Sequence, residues 1–328
     1  LKRYWHAALG SAVFLFLWGC GGPRPEEQAD SFSSDAGVAT ARRAGEPALS
    51  DRGGRDEAAA PEASAADSSP IATEEQLRAA LREKNPGFGG ELGVQTDGRN
   101  IVAVGLSDPA VEEIAPLAGL PLQRLELSGC HVTDIRPLEG MPLGVLGLER
   151  TGVRDIGVLK GMPLTVLALS HTRVDDIGPL AGAPLEELYL VRTAVTDLSP
   201  LAGMPRLQSL WLNDTPVSDI APLASVPSLV SLTLAGTKVA DLSPLKGLRI
   251  SRLHIARTEV TDLEPLKWLK LQRLVFTPGK IEKGIEAARN MPTLREIGTS
   301  FGEEAEGRED NMMPPDVFWE RYDAGAFE

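Results

Sequence analysis

One pattern recurs through the middle of the chain: an acidic residue, then Ile or Leu, two further residues, and Leu. Aligned on the acid, the copies start at Glu113, Asp134, Asp155, Asp176, Asp197, Asp219, Asp241 and Asp262, at spacings of 21, 21, 21, 21, 22, 22 and 21 residues. A period this short leaves room for one strand and one turn per copy. Each copy can therefore bury its apolar side chains only against its neighbours, and the chain must coil as a solenoid. The extra residue of the two longer copies falls at one place. There Met204-Pro205-Arg206-Leu207 and Val226-Pro227-Ser228-Leu229 replace a shorter Gly-Met-Pro-Leu form.

Each part of the copy has a physical reason. In Leu207-Gln208-Ser209-Leu210-Trp211-Leu212, the two final leucines share one face of a short strand, as a period of two requires. Stacked copies then make a parallel sheet on a concave side. A threonine follows each strand (Thr151, Thr172, Thr193, Thr215, Thr237, Thr258), with Cys130 at the equivalent place. These side chains should satisfy buried backbone groups at the turn, which makes Cys130 a ladder residue rather than a nucleophile. The repeated Asp caps a short helical turn whose first residues include Pro116, Pro137, Pro179, Pro200, Pro222, Pro244 and Pro265. Gly119, Gly140, Gly161, Gly182 and Gly203 supply the reversal toward the next strand. So few residues remain between strands that the convex elements are expected to be 3₁₀-like turns.

This is the leucine-rich-repeat signature, and the fold class expected is an α/β solenoid. It would be a right-handed coil with a parallel concave sheet, a convex side of 3₁₀ turns and helical caps at both ends. Residues 107–278 hold the repeats. Residues 73–106 read as an N-terminal cap, in which Thr73-Glu74-Glu75-Gln76 is a capping box opening a helix to about Lys84. Strands over Glu91–Thr96 and Asn100–Leu106 then flank Asp97-Gly98. Residues 279–328 read as a C-terminal cap and tail. Its expected parts are an amphipathic helix Gly279–Asn290, a strand near Leu294–Ile297, a mobile stretch 302–311, and a last helix Pro314–Tyr322 carrying Phe318 and Trp319.

The first 20 residues read as an export signal: Lys2 and Arg3, an apolar run from Ala7 to Trp18, then Gly19-Cys20. That run is too short to span a bilayer. Leu1 where Met is expected suggests an alternative start codon. The end of the run resembles the lipobox of bacterial lipoproteins, which implies lipidation of Cys20, although Trp18 departs from that pattern. Ordinary secretion and a retained anchor are the alternatives. Residues 21–72 have almost no large apolar side chains, and are expected to remain a flexible tether. With Cys130 the only other cysteine, a processed or lipidated Cys20 leaves no intramolecular disulfide.

Beyond the repeat itself, the chain resembles the short-repeat, internalin-like leucine-rich-repeat proteins. It resembles more closely the repeat modules of planctomycete-type bacteria, found in lipoproteins or attached to serine/threonine kinases. Three features carry this: Asn85-Pro86-Gly87-Phe88, the internal Thr-x-Val-x-Asp-Leu-x-Pro-Leu, and Phe318-Trp319-Glu320-Arg321-Tyr322-Asp323-Ala324-Gly325. The resemblance covers residues 73–328. The kinase motifs are absent, so what it implies is a recognition module.

The formal charge of −13 does not describe the repeats. Residues 299–328 hold 9 acidic and 2 basic residues, residues 21–72 hold 10 and 5, and residues 73–298 hold 27 and 24. Nothing forms the basic stripe a phosphate backbone needs, so no nucleic-acid partner is expected. The histidines are scattered and no ligand-spaced His/Cys/Asp group occurs, so neither metal, cofactor nor catalytic site is expected. Function must then lie in outward positions. The residue between the last two leucines of each strand forms a row: Glu126, Gly147, Ala168, Tyr189, Trp211, Thr233, His254, Val275. Tyr189 and Trp211 should be neighbours there, flanked by Glu187, Ser209 and Asn213, with a more basic row of Arg150, His171, Arg192, Asp214 and Arg257 beyond. The candidate ligand-binding residues are therefore Tyr189, Trp211, Glu187, Asn213, Arg150, Arg192 and His254. The expected function is non-catalytic recognition of a protein or peptide at the bacterial cell envelope, with membrane attachment only through Cys20. A glycan-binding module is the alternative, because Trp and Tyr on a polar face stack on sugars.

Overall fold

The computed structural model describes residue 71, residues 73–301 and residues 311–327. The expected signal segment, Cys20, the expected tether apart from Ile71, and nearly all of the stretch 302–311 lie outside the described residues. The described residues belong to one structural unit. Within it, twelve strands form one sheet in which every strand pairs with its neighbour in sequence. They begin with the hairpin β1 (Leu92–Thr96) and β2 (Ile101–Leu106). The repeats add β3 (Arg124–Glu126), β4 (Val145–Gly147), β5 (Val166–Ala168) and β6 (Glu187–Tyr189). Next come β7 (Ser209–Trp211), β8 (Ser231–Thr233), β9 (Arg252–His254) and β10 (Arg273–Val275). The sheet closes with β11 (Glu296–Gly298) and β12 (Met312–Met313). Pairing is parallel from β2 to β11 and antiparallel at the two ends.

A 3₁₀ turn starts two residues after each repeated acid, from Ala115–Leu117 to Glu264–Trp268. The cap is formed by the acid itself. Oδ1 of Asp134, Asp155, Asp176, Asp197, Asp219, Asp241 and Asp262 accepts the N–H two residues on, at 2.7–2.9 Å. This places Asp one position earlier than an N-cap and closes an Asx turn, while Ile or Leu takes the cap position. Gly119, Gly140, Gly161, Gly182 and Gly203 follow at φ between 73° and 78°, as the reversal requires. Where no glycine stands there, in Ala221–Ser225 and Glu264–Trp268, the turn runs on to five residues.

The threonine ladder is built as the sequence suggests. The hydroxyls of Thr151, Thr172, Thr193, Thr215, Thr237 and Thr258 each donate to the carbonyl three residues earlier, at 2.6–2.8 Å, and all six residues are buried. Cys130 occupies the same place, fully buried, and burial raises its thiol to about 11, which removes it as a nucleophile at neutral pH.

The ends close the core. Helix α1 (Glu74–Lys84) has the full capping box between Thr73 and Gln76 and buries Leu77 and Leu81. Asn85 does more than end it. Its amide donates to the Leu81 and Glu113 carbonyls and accepts from the N–H groups of Glu112 and Glu113, all at 2.9 Å, tying the helix to the first coil. At the other end the expected helix Gly279–Asn290 is shorter. Lys283 bridges in parallel to Asp262, Gly284 turns at φ 75°, and α2 spans only Ile285–Arg289. The close approach explains this, since a side chain on Gly284 would collide with the backbone of Leu263 and Glu264. Helix α3 (Pro315–Asp323) packs Phe318 between Phe276 and Phe327, at ring separations of 5.7 and 4.7 Å. Arg289 binds Asp323 at 2.6 Å and lies over the Trp319 ring. These aromatics cap the core.

Candidate functional site: the outer face of the sheet

The leucines at alternate positions of each strand are buried in the core, so the residues between them face outward. The parallel register places Glu126, Gly147, Ala168, Tyr189, Trp211, Thr233, His254 and Val275 side by side, one per strand. The row read from the sequence is therefore a row in space. Tyr189 and Trp211 are adjacent, with ring centroids 5.5 Å apart and planes tilted by 55°.

The face varies in depth. Tyr189 is only 8% exposed, because its ring lies against Trp211 and its hydroxyl donates to the Glu187 carboxylate. Burial, then that carboxylate, push the phenol far above its ordinary pKa. Trp211 stays part-exposed and its Nε1 donates to Ser209 Oγ at 3.2 Å. Trp211 is thus the side of the pair that faces outward, and Tyr189 is its support. His254 is 3% exposed and Asn213 is 6% exposed, so both sit within the face rather than on its rim. Glu126 lies over Gly147, where any side chain would collide with its carboxylate, and desolvation raises its pKa.

The more basic row has a property that residue type alone does not announce. Arg150, His171, Arg192, Asp214 and Arg257 all adopt positive φ, between 54° and 60°, in line with Gly129 (82°) and Gly236 (69°). The turn from strand to threonine needs a left-handed residue at this place, and glycine supplies it at the least cost. The two glycines in the column were the available signal. A side chain here costs roughly 1 kcal/mol of backbone strain. Asp214 accepts from Arg192 Nε at 3.4 Å and from Arg257 Nη2 at 3.0 Å, the second bond passing over Gly236. Arg150 is exposed at the other end of the row.

The seven residues therefore divide. Trp211, Tyr189, Glu187 and Asn213 share strands β6 and β7 or the residues just after them. His254 lies two strands away on β9, beyond Thr233. Arg150 and Arg192 stand on the left-handed column. Among the described residues no group of three or more His, Cys, Asp or Glu could hold a metal ion, and no helix is long and apolar enough to cross a membrane.

The family model described as Leucine Rich repeats (2 copies) matches residues 185–225 and again residues 205–247. No curated protein matches the chain. Among solved structures, an internalin (inlF) from Listeria monocytogenes is 25% identical, with 61% of this chain and 74% of that one covered and a TM-score of 0.43. Internalin C2 from the same organism is 29% identical over 54% of this chain and 71% of that one, with a TM-score of 0.45. A plant peptide hormone receptor, RGFR1, in complex with RGF2 is 12% identical over 61% of this chain and 36% of its own, with a TM-score of 0.47. With one strand and one 3₁₀ turn in every 21 or 22 residues, and leucine-rich repeats matched within them, the described chain is folded as a leucine-rich-repeat solenoid.

Proposed function

We propose that this protein is a non-catalytic recognition scaffold of the bacterial cell envelope, binding a protein or peptide through the outer sheet face centred on Trp211. The observation that carries the reading is the part-exposed Trp211 braced by Tyr189 in the middle of the row. Elsewhere that row holds small, buried or charged side chains. Tryptophan, tyrosine and arginine dominate binding energy at protein interfaces, and a central aromatic held rigid by a neighbour loses little entropy on binding. Arg150 and Arg192, displayed at a strained backbone position, supply positive charge along one edge for acidic groups of the partner. The envelope location follows from the export-type N-terminus, with Cys20 as the lipidation site and the membrane reached only through it.

The test is capture of a partner from envelope fractions by the full chain and by its Trp211→Ala variant. Loss of the captured partner at unchanged thermal stability is the expected result, at roughly thirtyfold or more in affinity. Capture that is equally strong with the variant would overturn the reading. Depletion by soluble polysaccharide, indifferent to protease treatment of the fraction, would make the ligand a glycan.

A further inference from the structure

Beside Trp211 the outer face holds two hydrogen-bond acceptors that the fold leaves unused. Asn213 Oδ1 and Thr233 Oγ1 are inaccessible to solvent and have no hydrogen-bond partner among the described residues. Their residues are 6% and 8% exposed. Neither belongs to the core, because both alternate with the buried leucines Leu212, Leu232 and Leu234 and so point to the outer side of the sheet. Thr233 pairs in register with Trp211, and Asn213 follows Trp211 by two residues. The three thus form one patch on adjoining strands.

Such atoms are rare in folded proteins, since a buried polar group without a partner keeps its desolvation cost. This chain knows how to avoid the cost, as all six ladder threonines are bonded. Thr233 stands on strand β8, four residues before the ladder threonine Thr237, and has no such bond. The arrangement has the form expected of a binding site that completes its hydrogen bonds only when occupied.

Resting on the reading of this face as a peptide-recognition surface, we infer that Asn213 and Thr233, once the side chains covering them turn aside, accept backbone N–H groups from an extended peptide lying beside Trp211. The spacing selects this ligand. One strand spacing across and two residues along place such positions about 8 Å apart on parallel strands. An extended chain offers N–H groups on one edge every second residue, about 6.7 Å apart. Adjacent hydroxyls of a sugar ring are much closer together than that and would satisfy one acceptor, not both. Acceptance by an amide oxygen and a hydroxyl reads backbone, so the site selects an extended conformation, while Trp211 and the Arg150–Arg192 edge select side chains.

The probe is a phage-displayed library of random linear twelve-residue peptides, selected on the full chain, with the strongest binder then synthesised. Thr233→Val and Asn213→Leu are each expected to weaken that peptide about tenfold, the loss of one hydrogen bond to a buried group, without lowering the melting temperature. N-methylation of two peptide amides two residues apart should weaken binding similarly, and methylation of the amide between them should not. Unchanged affinity in both variants overturns the inference, as does a fall in melting temperature matching that of a ladder threonine. If Trp211→Ala abolishes binding while the two acceptor variants do not, the peptide surface stands and this subsite falls. If no peptide is enriched and a soluble polysaccharide binds instead, both fall.

Discussion

On the 3₁₀ side of the coil, successive repeats place the same chemistry at the same place; across the sheet, they place different chemistry at the same place. The 3₁₀ side is a column of Asx turns and bonded threonines in which each polar group has a fixed partner within its own repeat. The sheet side runs from Glu126 through Gly147, Tyr189 and Trp211 to His254, with no two consecutive residues alike. A repeat that closes its hydrogen bonds locally frees the outward residues from any structural duty. Those positions can then hold groups that cost stability, such as the left-handed Arg150 or the unbonded Thr233. Residues that lower stability without serving the scaffold mark where function resides.

The contrast can be broken most severely at the layer both sides share. Leu232→Ala, at a fully buried position, should destabilise the solenoid by about 2–5 kcal/mol in denaturant unfolding. Thr215→Val on the ladder leaves the Leu212 carbonyl without its hydroxyl donor and should cost about 1–3 kcal/mol. Thr233→Val on the face should cost nothing. Equal losses for the two threonines would erase the distinction between the sides. Arg150→Gly should run the other way, stabilising by roughly 1 kcal/mol as the left-handed strain is relieved, while weakening any acidic partner. A lowered melting temperature in that variant would mean that the arginine serves the fold.

Titration separates the sides more gently. Asp134 is held down to about 2 by the Arg136 side chain and N–H, and the Asp197 and Asp241 carboxylates are lowered by Ser199 and Ser243. Folded values below the unfolded 3.8 mean that their contribution is present at neutral pH. It is lost as pH falls from about 4 toward 2, so melting temperature should drop through that window. Glu126 on the face has the opposite sign. Desolvation raises it above 4.5, so ionisation at neutral pH opposes folding, and Glu126→Gln should raise the melting temperature at pH 7 but not below pH 4. A lower melting temperature at pH 7 would show the charge to be stabilising.

The repeat was legible because its residues act locally. The spacing of Asp134 and Asp155, the prolines at the second residue of every repeat 3₁₀ turn but Gly157–Leu159, and the threonines all report bonds within one copy. Period-two alternation likewise fixed which residues share the face of Trp211, and stacking then fixed their order. Depth on that face was not legible. Tyr189 and His254 are nearly covered and Trp211 is not, and this depends on the sizes of side chains one or two coils away. The left-handed column was hidden by its own occupants, since arginine and histidine give no conformational signal where Gly129 and Gly236 do. The shortened α2 was missed because Ile281 and Ile285 satisfy a helical spacing, while Gly284 is required by a contact with the previous coil.

The central claim is that recognition belongs to the sheet side at Trp211. The most direct measurement places a photo-activatable amino acid at position 211, and in a second protein at position 268, where Trp268 is 56% exposed on a 3₁₀ turn. Crosslinking in cells, read by mass spectrometry, should recover one saturable partner from position 211 and none of it from position 268. Recovery of the same partner from position 268 and not from 211 would contradict the account.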